Sequence, residues 1–176
     1  MAPEKHDGRW WLTKGSEAIV IDTTPHAVYE LVADLPRMGE WSPECVKVEW
    51  QEGATGPAVG SQFLGHNRTG PGKRIKWSRR GRVVSAEPGE EFAFATEEGG
   101  RESTKWTYRF ETVDGGTRVT ETYDVNWLPA WARIVDGPLN RRGELHRHMR
   151  HTLEQLKREA EATRNPSISS QKEEQQ

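Results

Sequence analysis

Glu121 is the residue in this sequence with the clearest capacity for chemistry. It lies in a segment whose alternate residues are otherwise apolar, namely Val119, Tyr123 and Val125. We assign that face of the segment to the interior, where a carboxylate costs several kcal/mol unless it is paired, hydrogen-bonded or neutral. Two interpretations follow. Glu121 is a cavity carboxyl that binds a ligand or exchanges a proton with it, or it is a structural carboxylate, either paired with a helix arginine such as Arg142 or placed in water at a cavity mouth.

Other candidate site residues are mainly aromatic. Tyr108 and Tyr123 carry hydroxyls that can orient a carbonyl or a phenol, and with Glu121 they form the candidate catalytic set. Apolar ligand sites combine aromatic walls with a few polar groups. The candidate ligand-binding residues of this kind are Trp41, Asn67, Trp77, Phe92, Phe94, Trp106 and Met149. Each aromatic residue taken alone is better explained as ordinary core, but as a set they predict some ligand contact.

The sequence contains little that indicates a metal or cofactor site. His146, His148 and His151 fall in one helical segment. No two of these histidines have the i, i+4 spacing that converges on a metal ion, and His148 with His151, three residues apart, could supply only half a site. No glycine-rich phosphate loop, nucleophile elbow or Cys/His pair is present, and Cys45 is expected to be inert. We therefore predict no metal site and no cofactor.

A basic segment between residues 73 and 82 allows two interpretations. Basic residues around an aromatic one can bind single-stranded RNA or an anionic headgroup, but they also form solvated strand faces that resist edge pairing. The acidic balance of the rest of the chain favours the solvated face. The residues concerned are Lys73, Arg74, Lys76, Arg79, Arg80 and Arg82, around Trp77.

A long C-terminal helix over about residues 129–163 is predicted to organise the fold. One stripe of the helix is apolar: Trp131, Ile134, Val135, Leu145, Met149, Thr152, Leu153 and Leu156. Gly137-Pro138 predicts a kink or break within it. A stripe of this length needs an equally long surface to pack against.

The preceding hundred residues supply that surface as short alternating segments. A strand over 16–21 comes first, followed by a helix that Thr24 caps and Pro25 begins, and then by a short helical turn that contains Trp41. Further alternating segments include Val46, Val48 and Trp50 on one parity, and Asp114-Gly115-Gly116 indicates a hairpin. Runs of strands followed by a helix indicate an α+β fold with a curved antiparallel sheet of about seven strands.

Length and composition limit the class of protein. A chain of 176 residues suggests one domain; we expect a loose segment over 1–14, the domain over 15–163 and a disordered tail over 164–176. A net charge of −2 gives no overall drive toward nucleic acid. No apolar run approaches the roughly 20 residues of a membrane span, and the single Cys45 suggests a reducing compartment. We expect a soluble cytoplasmic protein, either a monomer or a homodimer.

Several segments in succession resemble the START-like, or SRPBCC, superfamily, and most closely its bacterial polyketide cyclase/dehydrase branch. They are IDTTPHAVYELVADLPRMGEWSPE (21–44), VGSQFLGHNRTG (59–70), VVSAEPGEEFAF (83–94), and WTYRFE with GGTRVTETYDV (106–125). The resemblance implies a helix-grip fold, in which the sheet wraps around the C-terminal helix and encloses a cavity for lipids, polyketides or other apolar molecules. It implies no shared catalytic motif, so fold alone does not assign a reaction.

Three functional hypotheses result. The first is a binding protein for a hydrophobic small molecule, lipid or polyketide-like, held between the sheet and the helix. The second is a polyketide cyclase, aromatase or dehydratase that uses the acid–base set of Glu121, Tyr123 and Tyr108. The third is an interaction protein that acts through the basic segment.

Overall fold

A single antiparallel sheet of seven strands forms most of the molecule, as the sequence predicted. The computed structural model describes residues 14–130 and 141–164. In space the strands follow the order β1-β7-β6-β5-β4-β3-β2, so the first two strands of the chain form the two edges of the sheet. Their bounds are β1 Lys14–Ile21, β2 Cys45–Trp50, β3 Gln62–Thr69, β4 Ile75–Glu87, β5 Glu91–Glu98, β6 Arg101–Val113 and β7 Gly116–Val125.

Two short helices connect the edge strands. Helix α1 (Pro25–Ala33) begins as the sequence indicates: the Thr24 side chain accepts a hydrogen bond from the backbone N–H of Ala27, and Pro25 occupies the first turn. A 3-10 helix (Leu35–Glu40) follows, and Trp41 ends it. These helices carry the chain from one sheet edge to the other.

The curved sheet wraps around the C-terminal helix α2 (Arg141–Arg164) and forms a helix-grip fold. The predicted apolar stripe is confirmed over the described part of the helix, where five of its members are buried: Leu145, Met149, Thr152, Leu153 and Leu156. Burial of these side chains against the sheet removes apolar surface from water and stabilises the packing by roughly 2 kcal/mol for each large side chain.

Two glycines permit aromatic rings to lie flat on the inner face of the sheet. A Cβ atom on Gly81 would lie 2.3 Å from Cζ of Phe63, which pairs with it across β3 and β4. A Cβ atom on Gly15 would lie 2.6 Å from Cε1 of Tyr123. Both rings therefore occupy the space that a side chain would otherwise fill.

The predicted parity of Val46, Val48 and Trp50 is wrong at its first member. The register between β2 and β3 shifts between Cys45 and Lys47, and this bulge turns Val46 outward, where it is 43% exposed. Cys45 and Val48 face the interior instead.

Several sequence predictions lie outside the described residues. They are the segment 1–13, the stripe members Trp131, Ile134 and Val135, the kink at Gly137-Pro138, and the tail 165–176. The domain boundaries remain a prediction. Within the described ranges, no helix is both long and apolar enough to cross a membrane.

Candidate ligand cavity

A cavity of about 320 Å³ lies between the inner face of the sheet and helix α2. Strands β2 to β7, the segment around the 3-10 helix and the N-terminal half of α2 all contribute to its wall. The side chains on the wall are mostly aromatic or aliphatic, and they include Met38, Val48, Phe63, Trp77, Phe94, Trp106, Val125, Leu128, Leu145 and Met149. Such a wall suits an apolar molecule.

Glu121 is the buried acid in this apolar wall. Its side chain lies on β7 and the residue is only 3% exposed. The hydroxyl of Tyr108, directly opposite on β6, donates a hydrogen bond of 2.7 Å to Glu121 Oε1. Oε2 is buried as well, and no described residue forms a hydrogen bond with it. One oxygen of the carboxyl group is therefore held in place, while the other has no hydrogen-bond partner among the described residues.

Burial also changes the protonation of this pair. Desolvation raises the pKa of Glu121 to about 8; the Tyr108 hydrogen bond opposes the rise and the nearby charge of Glu17 adds to it. The pKa of Tyr108 lies well above its ordinary value, first because of burial and then because of Glu121. At neutral pH the neutral carboxylic acid therefore predominates, and it has a proton to donate.

Tyr123 lies next to Glu121 on the same face of β7 and is fully buried. Its ring lies 5.7 Å from that of Trp106 and 6.2 Å from that of His146, measured between centroids. His146 in turn contacts Glu17 through Nδ1 and Oε1 at 2.8 Å. This group links α2 to both β1 and β7 at the cavity wall.

A second polar region lies on β3 and β4. The Arg79 guanidinium is 5.0 Å from the centroid of Trp77 and donates a 2.6 Å hydrogen bond to Glu98. Asn67 donates to the backbone oxygen of Gly65 at 3.3 Å. Arg79, Trp77 and Asn67 all line the cavity.

A charged cluster joins the N-terminal turn of α2 to the loop before β2. Arg141 donates two hydrogen bonds to Glu44, at 2.6 and 2.9 Å, and one to Glu144 at 2.8 Å. Burial alone would raise the pKa of Glu144, but Arg141 outweighs it and holds that pKa below its ordinary value. Burial lowers the pKa of His148, which lies 3.8 Å from Glu44, although both carboxylates oppose the effect.

This cluster is the arrangement that comes nearest to a metal site among the described residues. Donor atoms of Glu44, Glu144 and His148 all lie within 4.8 Å of one another. Arg141 already occupies both carboxylates, however, and a divalent cation would have to displace its guanidinium. The residues present therefore fit an internal ion-pair cluster better than a metal ion.

Sequence reasoning did not find this cluster. Glu144 and His148 have helical i, i+4 spacing, which was visible in the sequence, but Glu44 is 97 residues from Arg141 in the chain. The lining residues Phe63, Thr96 and Thr104 were also not proposed as site residues, and Arg79 was proposed only as part of the basic segment.

Most of the predicted site residues lie together on the cavity wall. They are Glu121, Tyr123, Tyr108, Asn67, Trp77, Phe94, Trp106 and Met149. Trp41 and Phe92 belong instead to the adjoining core and do not line the cavity. The Arg37 guanidinium lies 5.5 Å from the Trp41 ring centroid, and Phe92 packs edge-on against Tyr29 at 6.2 Å.

The model of one protein family, described as polyketide cyclase/dehydrase and lipid transport, matches residues 13–161. The chain belongs to this family. No curated protein matches the chain at a significant level. Family membership and the cavity together support a role in binding a hydrophobic ligand or in cyclisation.

Solved structures agree with this fold. A polyketide-cyclase-like protein from Corynebacterium glutamicum, Cgl2372, is 29% identical with a TM-score of 0.51, and the match covers 88% of this chain and 94% of that one. Protein Ms6760 from Mycobacterium smegmatis is 18% identical with a TM-score of 0.60, over 86% and 92% of the two chains. The di-domain ARO/CYC StfQ of the steffimycin biosynthetic pathway is 13% identical with a TM-score of 0.71, over 89% of this chain and 53% of that one. The last two likenesses show the fold alone.

Proposed function

We propose that this protein binds a hydrophobic small molecule, of lipid or polyketide-like character, in the cavity between the sheet and α2. One observation carries the proposal: an apolar cavity of about 320 Å³ holds a buried carboxyl group whose Oε2 atom makes no hydrogen bond with any described residue. Buried polar atoms are nearly always paired, so an unpaired one at a cavity wall marks the place for a ligand atom or an ordered water.

The state of Glu121 indicates what that ligand atom is. Because the neutral acid predominates at neutral pH, its O–H group donates a hydrogen bond and suits a carbonyl or ether oxygen on the ligand. The cavity volume lies at the lower end of the range of about 300–1,000 Å³ for small-molecule pockets. It therefore favours one compact molecule with an oxygen acceptor over a diacyl lipid.

Mass spectrometry of an organic-solvent extract from natively purified protein tests the proposal. The expected result is one apolar, oxygen-containing compound in roughly stoichiometric amount. A Gly65→Leu variant should lose it, because Gly65 lines the cavity and a Cβ atom there meets its nearest neighbours only at 3.7 and 3.8 Å. The Cβ atom of the new side chain is therefore accommodated without a backbone collision, and the isobutyl group extends from a position on the cavity wall.

Gly56→Leu is the matched control. It makes the same substitution at a position outside the cavity lining where no atom lies within 4 Å of a new Cβ. This variant should retain the compound. An extract with no bound compound, combined with no binding of polyketide-like aromatic probes to the wild type, would contradict the proposal. So would equal retention of a compound by both variants.

A second candidate function is cyclisation of a poly-β-ketone, and the same unpaired acid favours it. In an aldol closure, an enol carbon would bond to a ketone carbon while the Glu121 proton passed to the ketone oxygen. That oxygen would become a hydroxyl, and the enol O–H proton would return to the carboxylate, so the acid would be regenerated. Tyr108 would hold the carboxyl in position, and the cavity wall would fold the chain.

Glu121→Gln separates the two functions. The amide keeps the shape and still donates a hydrogen bond, but it cannot transfer a proton. With a soluble poly-β-ketone analogue, an enzyme should retain binding and lose product formation by about 100-fold or more. An unchanged rate of product formation in the variant would contradict a catalytic role for Glu121, and the absence of product with wild type would leave only the binding function.

A further inference from the structure

The basic residues of this chain are concentrated in one stretch. Between Glu52 and Glu87 there are seven Lys and Arg residues and no Asp or Glu, in a chain with a net charge of −2. The remainder of the chain therefore carries a net charge of −9. The stretch covers β3, β4 and the turn that joins them, so this charge is confined to one hairpin of the sheet.

Most of these cations are exposed and uncompensated. Arg79 pairs with Glu98 on the inner face, and Arg82 lies 3.7 Å from Glu102. The other five are exposed, and within residues 14–130 and 141–164 none of them forms an ion pair. We call them the hairpin cations: Arg68, Lys73, Arg74, Lys76 and Arg80.

Two features of the hairpin are unfavourable when taken by themselves. Arg68 and Lys76 face each other directly across the ladder between β3 and β4, and like charges in that position are destabilising. Lys73 has a φ of +53°, in the left-handed region that a non-glycine residue seldom adopts. An anionic partner outside the chain would relieve the repulsion.

An exposed apolar side chain stands at the tip of the hairpin. Ile75, the first residue of β4, is 57% exposed and lies on the face of Trp77, opposite to that of Lys76. Interfacial segments of proteins combine apolar insertion with attraction to anionic lipids in this way. Binding of single-stranded nucleic acid would instead need an exposed aromatic platform. Trp77 lines the cavity, and the Arg79 guanidinium lies near its ring.

We propose that the tip of the β3–β4 hairpin is a docking surface for an anionic lipid bilayer, with Ile75 inserted at the headgroup level and the neighbouring Lys73, Arg74 and Lys76 held against the lipid phosphates. The inner face of the same hairpin carries Asn67, Trp77 and Arg79 of the cavity wall. Docking therefore brings one wall of the cavity to the bilayer surface. The docking proposal depends on the charge and exposure of the hairpin and not on the cavity. A negative result for docking would therefore leave the proposed cavity function unaffected.

Vesicle flotation of the full chain tests the surface. The protein should float with phosphatidylcholine vesicles that contain phosphatidylglycerol, and not with phosphatidylcholine alone; high salt should release it. The triple variant Lys73→Gln/Arg74→Gln/Lys76→Gln should bind the acidic vesicles about 100-fold more weakly. Ile75→Ser should weaken binding by a smaller factor and leave the salt dependence unchanged.

A charge-matched control places the same three substitutions elsewhere. Lys14→Gln/Arg118→Gln/Arg158→Gln alters exposed residues on β1, β7 and α2 and should bind as the wild type does. Equal weakening in both triple variants would overturn the proposal, because net charge alone would then explain the attraction. The absence of any binding to acidic vesicles would overturn it too. Tighter binding of a single-stranded oligonucleotide than of vesicles, lost in the hairpin variant, would reassign the surface to nucleic acid.

Discussion

Glu121 and Glu44 line the same cavity, and their surroundings differ in one respect. Glu44 is held by two hydrogen bonds from Arg141, whereas Glu121 has only the neutral hydroxyl of Tyr108 as a partner and leaves one oxygen unpaired among the described residues. The first is a charge that the fold compensates. The second is an acid that burial keeps largely neutral at neutral pH.

The comparison shows how to separate structure from function among buried acids. The cluster around Arg141 connects the loop before β2 to the start of α2, and the Arg141 guanidinium pairs with both of its carboxylates. The exception is Nδ1 of His148, which forms no hydrogen bond with any described residue. Around Glu121 the fold provides too few hydrogen-bond partners, and a ligand can supply the hydrogen bond that Oε2 lacks. Three measurements test whether the two acids differ in this way.

The largest effect should appear in the pH dependence of stability. The pKa of Glu121 is raised from 4.5 to about 8 in the folded state, so the folded protein binds this proton more tightly than the unfolded chain does. Stability is therefore fully present below about pH 4.5 and falls as the pH rises through about 8, by about 5 kcal/mol in total. Urea unfolding followed by tryptophan fluorescence at about pH 5 and about pH 9 should show the loss.

Glu121→Gln should remove most of this slope, because the amide does not titrate. Glu111→Gln, at an exposed position on β6, should retain it. Equal slopes in wild type and Glu121→Gln would show that Glu121 titrates normally, and the contrast with Glu44 would disappear.

An intermediate effect is expected from removal of the arginine. Arg141→Met leaves Glu44 and Glu144 as partly buried carboxylates without their cation. We expect a loss of about 2 kcal/mol in the free energy of unfolding, below the values for fully buried pairs because both sides of this one are partly exposed. Arg109→Met breaks an ion pair in which the arginine is 69% exposed, and should cost less than about 1 kcal/mol. Equal losses would show that burial adds nothing to the Arg141 cluster.

The smallest effect concerns the hydroxyl that holds Glu121. Tyr108→Phe should lower stability by about 1 kcal/mol, because a buried acceptor loses its donor. The pKa of Glu121 should rise further in this variant, since the hydrogen bond lowers it. Carboxyl chemical shifts in a pH titration by NMR would follow that pKa directly. Tyr29→Phe, in the core outside the cavity lining, serves as control and should leave the pKa of Glu121 unchanged.

The sequence predicted elements and faces well where the pattern was local. The cap at Thr24 and the first-turn proline at Pro25 depend on a few neighbouring residues, and both are present in the structure. The inward parity of Glu121 follows from the two-residue period of a strand without a bulge in β7. The prediction for Val46 was wrong because β2 does contain a bulge. The bulge reverses the inward and outward alternation after Cys45, and no local signal in the sequence marks it.

Residue type by itself did not distinguish cavity from core. Phe92 and Phe94 are two residues apart on the same face of β5, yet only Phe94 lines the cavity. Helix α1 covers the region around Phe92, where Tyr29 packs against its ring. The alternation of residues in β5 does not predict which part of its inner face α1 covers.

The sequence alone therefore determined which side of a helix or of a strand without a bulge faces inward, because that property is set by the backbone period within a few residues. The tertiary structure decided which inward residues meet. Arg141 forms hydrogen bonds with Glu44, which is 97 residues away in the chain. Tyr108 lies opposite Glu121 only because of the register between β6 and β7. Such convergence depends on the curvature of the whole sheet and on register shifts that accumulate from strand to strand, and no local pattern specifies either.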